Sequence, residues 1–113
     1  MKKPIRALSI KQPYAELILR GKKKIEYRNG PTKIRERVYI YASKTKMDDD
    51  SGDMDAHPEK YPVGVLVGTV EITNCTGKPG NYKWHLSDPK RLAKNLKPEN
   101  RPQPVWFHPF KNE

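Results

Sequence analysis

The densest set of chemically competent side chains in the sequence is the run Gly21-Lys22-Lys23-Lys24-Ile25-Glu26-Tyr27-Arg28. A lysine set among other cations can give up its proton and act as a base or nucleophile, and a nearby glutamate can exchange protons with it. Arginine offers two parallel donors that match a phosphate. Lys23 and Glu26 are therefore candidate catalytic residues, and Lys24 and Arg28 candidate ligand-binding ones. The same residues also read as an exposed strand laced by ion pairs. Ser9 and Gln12 precede a helix start, where a hydroxyl or an amide can bond free backbone N–H groups or the edge of an incoming base. Ser43 closes a strand and can do the same. Tyr14, Tyr39, Tyr41, Tyr82 and Trp84 are possible stacking platforms for a base, with one or two expected to line a cleft and the rest to lie in the core.

Other chemistries lack their residues. His57, His85 and His108 are scattered, with no i, i+4 pair and no cysteine beside them, so no metal site is expected. No glycine-rich phosphate loop and no serine nucleophile elbow is present. No cofactor is implied.

The elements that must hold these residues follow from periodicity. Ala7 to Ile10 reads as a strand, which Lys11-Gln12-Pro13 ends, with Pro13 at the first turn of a helix running to about Arg20. Tyr14, Leu17 and Ile18 form its expected buried stripe, leaving Glu16 and Arg20 toward water or a ligand. Gly21 supplies the left-handed residue past the helix end. From Lys24 the period becomes two, with Ile25 and Tyr27 expected inside and Lys24, Glu26 and Arg28 outside. Arg37 to Ser43 is a strand with two substantial faces, Val38, Ile40 and Ala42 on one and Tyr39, Tyr41 and Ser43 on the other. Val65 to Thr73 is a third long strand, and Tyr82 to Leu86 and Val105 to Phe110 are shorter ones. Asp88-Pro89 is expected to start a brief helical turn.

The expected fold class is α+β: a small, mixed, curved sheet or barrel with one or two short helices covering its openings. At 113 residues the chain is one domain, 1–113. The stretch from Lys44 to Pro62 reads as an acidic surface loop that fits neither register of a calcium-binding loop.

Charge is distributed unevenly. Residues 1–46 contain fourteen Lys and Arg against three Glu, a net +11, while the rest of the chain carries −1, within a total of +10. One electropositive surface and a polyanionic partner are the expectation. The lone Cys75 excludes an internal disulfide framework. With neither an export signal nor a membrane-length apolar run in the sequence, a cytoplasmic monomer is expected.

Leu8-Ser9-Ile10-Lys11-Gln12-Pro13-Tyr14-Ala15, Ile18 and Gly21 to Arg28 together resemble the signature of the ASCH (activating-signal-cointegrator homology) domain. The resemblance continues through Val65 to Ile72, Tyr82-Lys-Trp-His-Leu and Pro104-Val105-Trp106. It implies a PUA-like β-barrel whose cleft takes RNA or a modified nucleoside. By position, Lys23 and Glu26 match the polar pair of the cleft floor and Arg28 the motif's arginine. Ser9, Gln12 and Tyr14 match the helix start at its border, and Tyr82 and Trp84 its aromatic wall or neighbouring core. The alternative the resemblance carries is a small hydrolase acting on N4-acylcytidine-type nucleosides or on RNA. In that hydrolase pattern a Thr lies three residues after the Lys, whereas here the position is Glu26.

Overall fold

The structure, a computed structural model, describes residues 3–44 and 61–111. The expected acidic loop lies, apart from its ends, outside them. Six strands and one helix follow in chain order. They are β1 (Ala7–Lys11), α1 (Tyr14–Leu19), β2 (Ile25–Arg28), β3 (Arg37–Ser43), β4 (Val65–Lys78), β5 (Asn81–Leu96) and β6 (Trp106–Phe107).

The strands form one mixed sheet in the order β2-β5-β4-β3-β1-β6. β1 and β3 are parallel and the other neighbours antiparallel. The sheet is not closed into a barrel: β2 and β6 are its edges, with no pairing between them among the described residues. Closure would need the two edge strands to meet in register, and here they are four and two residues long.

Alternation along β3 builds a core on each face, as its sequence anticipates. Val38, Ile40 and Ala42 join Leu8, Ile10, Ile18, Val70 and Trp84 on one side. Tyr39 and Tyr41 join Ala7, Leu66 and Phe107 on the other. Phe110 and Phe107 meet these two tyrosines edge-on, the favoured aromatic geometry.

The helix lies on the first face, ended by Gly21 at φ +77. Its approach to β4 is close: a Cβ on Gly68 would sit 2.4 Å from Leu19 Cδ2 and 2.5 Å from the Lys90 carbonyl. Only glycine fits beneath this helix.

Asp88-Pro89 departs from the expected helical turn and lies within β5. There Thr69 pairs with Lys90 and Glu71 with Ser87, so β5 carries one residue more than β4 across this interval. The extra residue is absorbed as a bulge, with Asp88 at φ 51 and Pro89 offering no N–H to the ladder. Arg37 braces the bulge through the Asp88 carbonyl and carboxylate and the Thr69 hydroxyl.

Candidate functional site

β2 inverts the orientation read from its alternation. Glu26 is 7% exposed and Tyr27 60%. The cause is tertiary: Glu26 pairs directly with Trp84 and Arg28 with Tyr82 on β5, and directly opposed residues share a face. Trp84 is a core residue, so the side chains opposite it are carried inward.

This inversion assembles the site. Arg28 Nε donates to Glu26 Oε2 at 2.9 Å, and Arg28 Nη2 lies 2.7 Å from the same oxygen. Nη2 also donates to the Ser9 carbonyl at 3.0 Å, tying β2 to β1. The guanidinium lies over the Trp84 ring, 5.4 Å from its centroid. Trp84 is itself stacked on Trp106, with centroids 5.8 Å apart, and donates its indole N–H to the Gly30 carbonyl. The second Glu26 oxygen is different. Oε1 is buried and accepts no hydrogen bond, with Lys23 Nζ 3.5 Å away. The Lys23 ammonium lies 4.9 Å from the Tyr14 centroid and 5.3 Å from that of Tyr27, a cation–π arrangement with two rings.

Two clefts flank Lys23. One of about 250 Å³ is floored by Ile18, Val70 and Leu86 and walled by Lys24 and Ser87–Pro89. The other, about 360 Å³, opens between Tyr14, Leu17, Lys22 and Tyr27. A buried carboxylate oxygen without a hydrogen bond costs about 1–3 kcal/mol. Here the Lys23 ammonium offsets part of that cost and stands between Oε1 and the two clefts it lines, so a ligand N–H that displaces the lysine would meet an acceptor.

The sequence-predicted residues divide between two places. Tyr14, Lys23, Lys24, Glu26, Arg28 and Trp84 gather around this site. Ser9 and Ser43 line a separate groove with Tyr41, and the Ser9 hydroxyl donates to the Gln103 carbonyl. Gln12 is 1% exposed and its amide is engaged twice, by the Glu16 N–H and the Pro62 carbonyl. Among the possible platforms, Tyr39 and Tyr41 belong to the second core. Tyr27, an expected core residue, is the exposed ring at the site.

Glu16 also departs from expectation. It is 8% exposed and receives Arg91 in a forked pair at 3.0 and 2.9 Å, with Arg20 Nε at 2.8 Å. Burial pushes its carboxyl up, but the hydrogen bonds from Arg91 and Arg20 outweigh that and hold it below its ordinary value. Only the fold joins Glu16 to a residue 75 positions away, so nothing local in the sequence announces the pair.

Part of the positive charge is neutralised internally. Arg6, Arg20, Arg28 and Arg37 pair with Glu36, Glu16, Glu26 and Asp88, while Lys22, Lys24 and Lys33 stay exposed. Among the described residues no group of three or more His, Cys, Asp or Glu gathers as metal ligands, and no helix is long and apolar enough to cross a membrane.

The sequence model of the ASCH domain matches residues 8–102. The chain belongs to the ASCH domain family. Activating signal cointegrator 1 of Homo sapiens is 32% identical over 80 residues, which cover 60% of this chain and 14% of that protein. The Mus musculus protein of the same name matches at the same identity and coverage. In fold, this ASCH domain resembles the crystal structure of ASCH from Zymomonas mobilis, with a TM-score of 0.65 at 14% identity, covering 91% of this chain and 85% of that one. A point variant of the Zymomonas mobilis protein superposes with a TM-score of 0.66 at 13% identity, over 94% and 90% of the two chains.

Proposed function

We propose that this ASCH domain binds RNA or a modified nucleoside at the cluster of Lys23, Glu26 and Arg28 beside α1, in a cleft of the PUA type. The observation that carries the reading is the buried Oε1 of Glu26, which accepts no hydrogen bond and has the Lys23 ammonium beside it at 3.5 Å. A carboxylate is an acceptor only, so it selects a ligand edge that donates, such as the exocyclic amine of a base. Tyr14 and Tyr27 offer faces for stacking, and the exposed Lys22 and Lys24 offer contacts to phosphates. Arg28 is committed to Glu26 and the Ser9 carbonyl, so its role in this reading is to orient the carboxylate. The proposal treats residues 1–113 as one domain acting as a monomer in the cytoplasm, without a cofactor.

Fluorescence anisotropy with a short single-stranded RNA, from low to physiological salt, tests this. Binding should weaken as salt rises, because contacts to phosphates release counterions. Affinity absent at low salt, or flat across the series, would sink the proposal.

A hydrolytic reading is favoured by one distance, the 3.5 Å between Lys23 Nζ and Glu26 Oε1, which suits proton exchange between a nucleophile or base and its partner. Its substrates would be N4-acylcytidine-type nucleosides or RNA. Lys23→Ala and Glu26→Gln should then each lower turnover of N4-acetylcytidine or short RNA by roughly 100-fold or more. Wild type that binds RNA but turns over neither substrate removes this reading and leaves the binding one.

A further inference from the structure

The second groove, about 470 Å³, lies on the opposite side of the sheet from Glu26. Ser9, Tyr41 and Ser43 project from neighbouring parallel strands β1 and β3, where Ser9 is paired with Tyr41 and Lys11 with Ser43. Lys44 continues from the end of β3, and the segment Arg101-Pro102-Gln103-Pro104 forms the facing wall. The Ser9 hydroxyl fixes that wall by donating to the Gln103 carbonyl at 2.7 Å, and the Ser9 N–H donates to the Val105 carbonyl at 2.9 Å.

Three features give the groove its chemistry. Its lining among the described residues has two cations and three hydroxyls and no carboxylate. Every arginine in the ion pairs described above has an acid beside it, whereas Lys44 and Arg101 have no ion pair among the described residues. Lys44 is also seated: its stem lies against Gly64, where a Cβ would come within 2.9 Å of Lys44 Cε. A cation whose stem is laid on backbone loses less freedom on binding than one waving in water.

We propose that this groove is a phosphate-binding site, with Lys44 and Arg101 as the charged partners and the Ser43 and Tyr41 hydroxyls as further donors. The phosphate could be a terminal phosphate of a free nucleotide or a phosphodiester of an RNA strand, and the chemistry recognised is the same. The two faces meet at Ser9, whose carbonyl is held by Arg28 while its hydroxyl holds the groove wall. A strand bound at Glu26 and a phosphate in the groove would thus engage opposite ends of one residue. The proposal does not depend on ligand binding at Glu26.

The test is an amide chemical-shift titration of the full chain with inorganic phosphate, adenosine monophosphate and a single-stranded oligoribonucleotide in turn. Saturable shifts at Ser43, Lys44, Arg101 and Gln103 are expected with at least one probe. Shifts with phosphate or the mononucleotide identify a terminal phosphate, and shifts with the oligonucleotide alone identify a phosphodiester. The Lys44→Ala/Arg101→Ala variant should lose at least about 10-fold in affinity for that probe, while Lys44→Arg retains it. Both replaced residues are exposed, so the fold should persist, and an unchanged spectrum away from the groove checks this. For RNA, the slope of log affinity against log salt should fall by about 0.7 for each phosphate contact removed. No shift at these four amides with any probe, or full affinity in the double variant, overturns the proposal.

Discussion

Two buried glutamates sit on the helix-bearing side of the sheet, and their surroundings differ in one respect. Glu16 has both oxygens engaged, one by Arg91 and the other by Arg91 and Arg20. Glu26 has one oxygen engaged by Arg28 and the other buried with no hydrogen bond. A buried carboxylate whose acceptors are used up is part of the framework. One that holds an acceptor in reserve carries a cost that a ligand can relieve. The contrast separates the ion pair that fastens the helix to β5 from the one beside Lys23, although each Glu has an Arg close to it in sequence, Arg20 for Glu16 and Arg28 for Glu26.

The largest effect expected from breaking the comparison is on stability at Glu16. Glu16→Ala should cost about 2 kcal/mol, measured by denaturant unfolding. That is below the full cost of splitting a buried pair because the Arg91 side chain is 52% exposed and can return to water. RNA affinity should stay within about twofold of wild type. A large loss of affinity with intact stability would reverse the roles assigned to the two glutamates.

Glu26→Gln should act on binding as well. It replaces the carboxylate by an amide of the same shape and should weaken ligand binding by about 10-fold, or 1.4 kcal/mol. It should also lower the unfolding free energy by about 1 kcal/mol, because Arg28 and Lys23, both mostly buried, lose their counter-charge. A variant that unfolds more easily yet binds RNA as wild type does would make Glu26 a second framework residue.

Acid titration sharpens the same contrast by a smaller amount. The Glu16 carboxyl is held below its ordinary value of 4.5 in the folded state. Its contribution is therefore complete above the unfolded value and lost as pH falls through the folded one. Stability of the wild type should decline more steeply below about pH 4.5 than that of Glu16→Gln, which has no carboxyl to titrate there. Equal acid sensitivity in the two proteins would show that the Arg91 pair contributes nothing.

The smallest effect should come from Arg91→Lys, which keeps the charge and loses the forked geometry. With half of the side chain in water, the cost should be about 0.5 kcal/mol or less in denaturant unfolding.

Much of this molecule was legible before its coordinates. The two-faced strand at residues 37–43, the Gly21 stop and the grouping of Lys23, Glu26 and Arg28 all follow from short-range patterns, because periodicity and turn chemistry act between neighbours in the chain. The matches in motif order from Leu8 to Trp106 pointed to the ASCH family, whose sequence model spans residues 8–102.

What sequence patterns could not decide is which way a short edge strand turns. A period of two fixes that Glu26 and Arg28 share a face but not which face, and β2 is only four residues long. Its own apolar residues, Ile25 and Tyr27, argued for the wrong side. The decision came from Trp84, which lies opposite Glu26 and is drawn into the core with Trp106, since burying a large ring outweighs the preference of one exposed tyrosine. The same holds for Asp88-Pro89, where pairing with β4 turned an apparent helix start into a bulge, and for Glu16, whose Arg91 partner is reached only through the sheet. Ser9 and Ser43 separated from Glu26 because they share the face of β1 and β3 that carries Tyr41, opposite the face where Leu8, Ile10 and Ala42 meet Trp84. Alternation along each strand set which residues share a face, while the layers packed on either face settled what each of them meets.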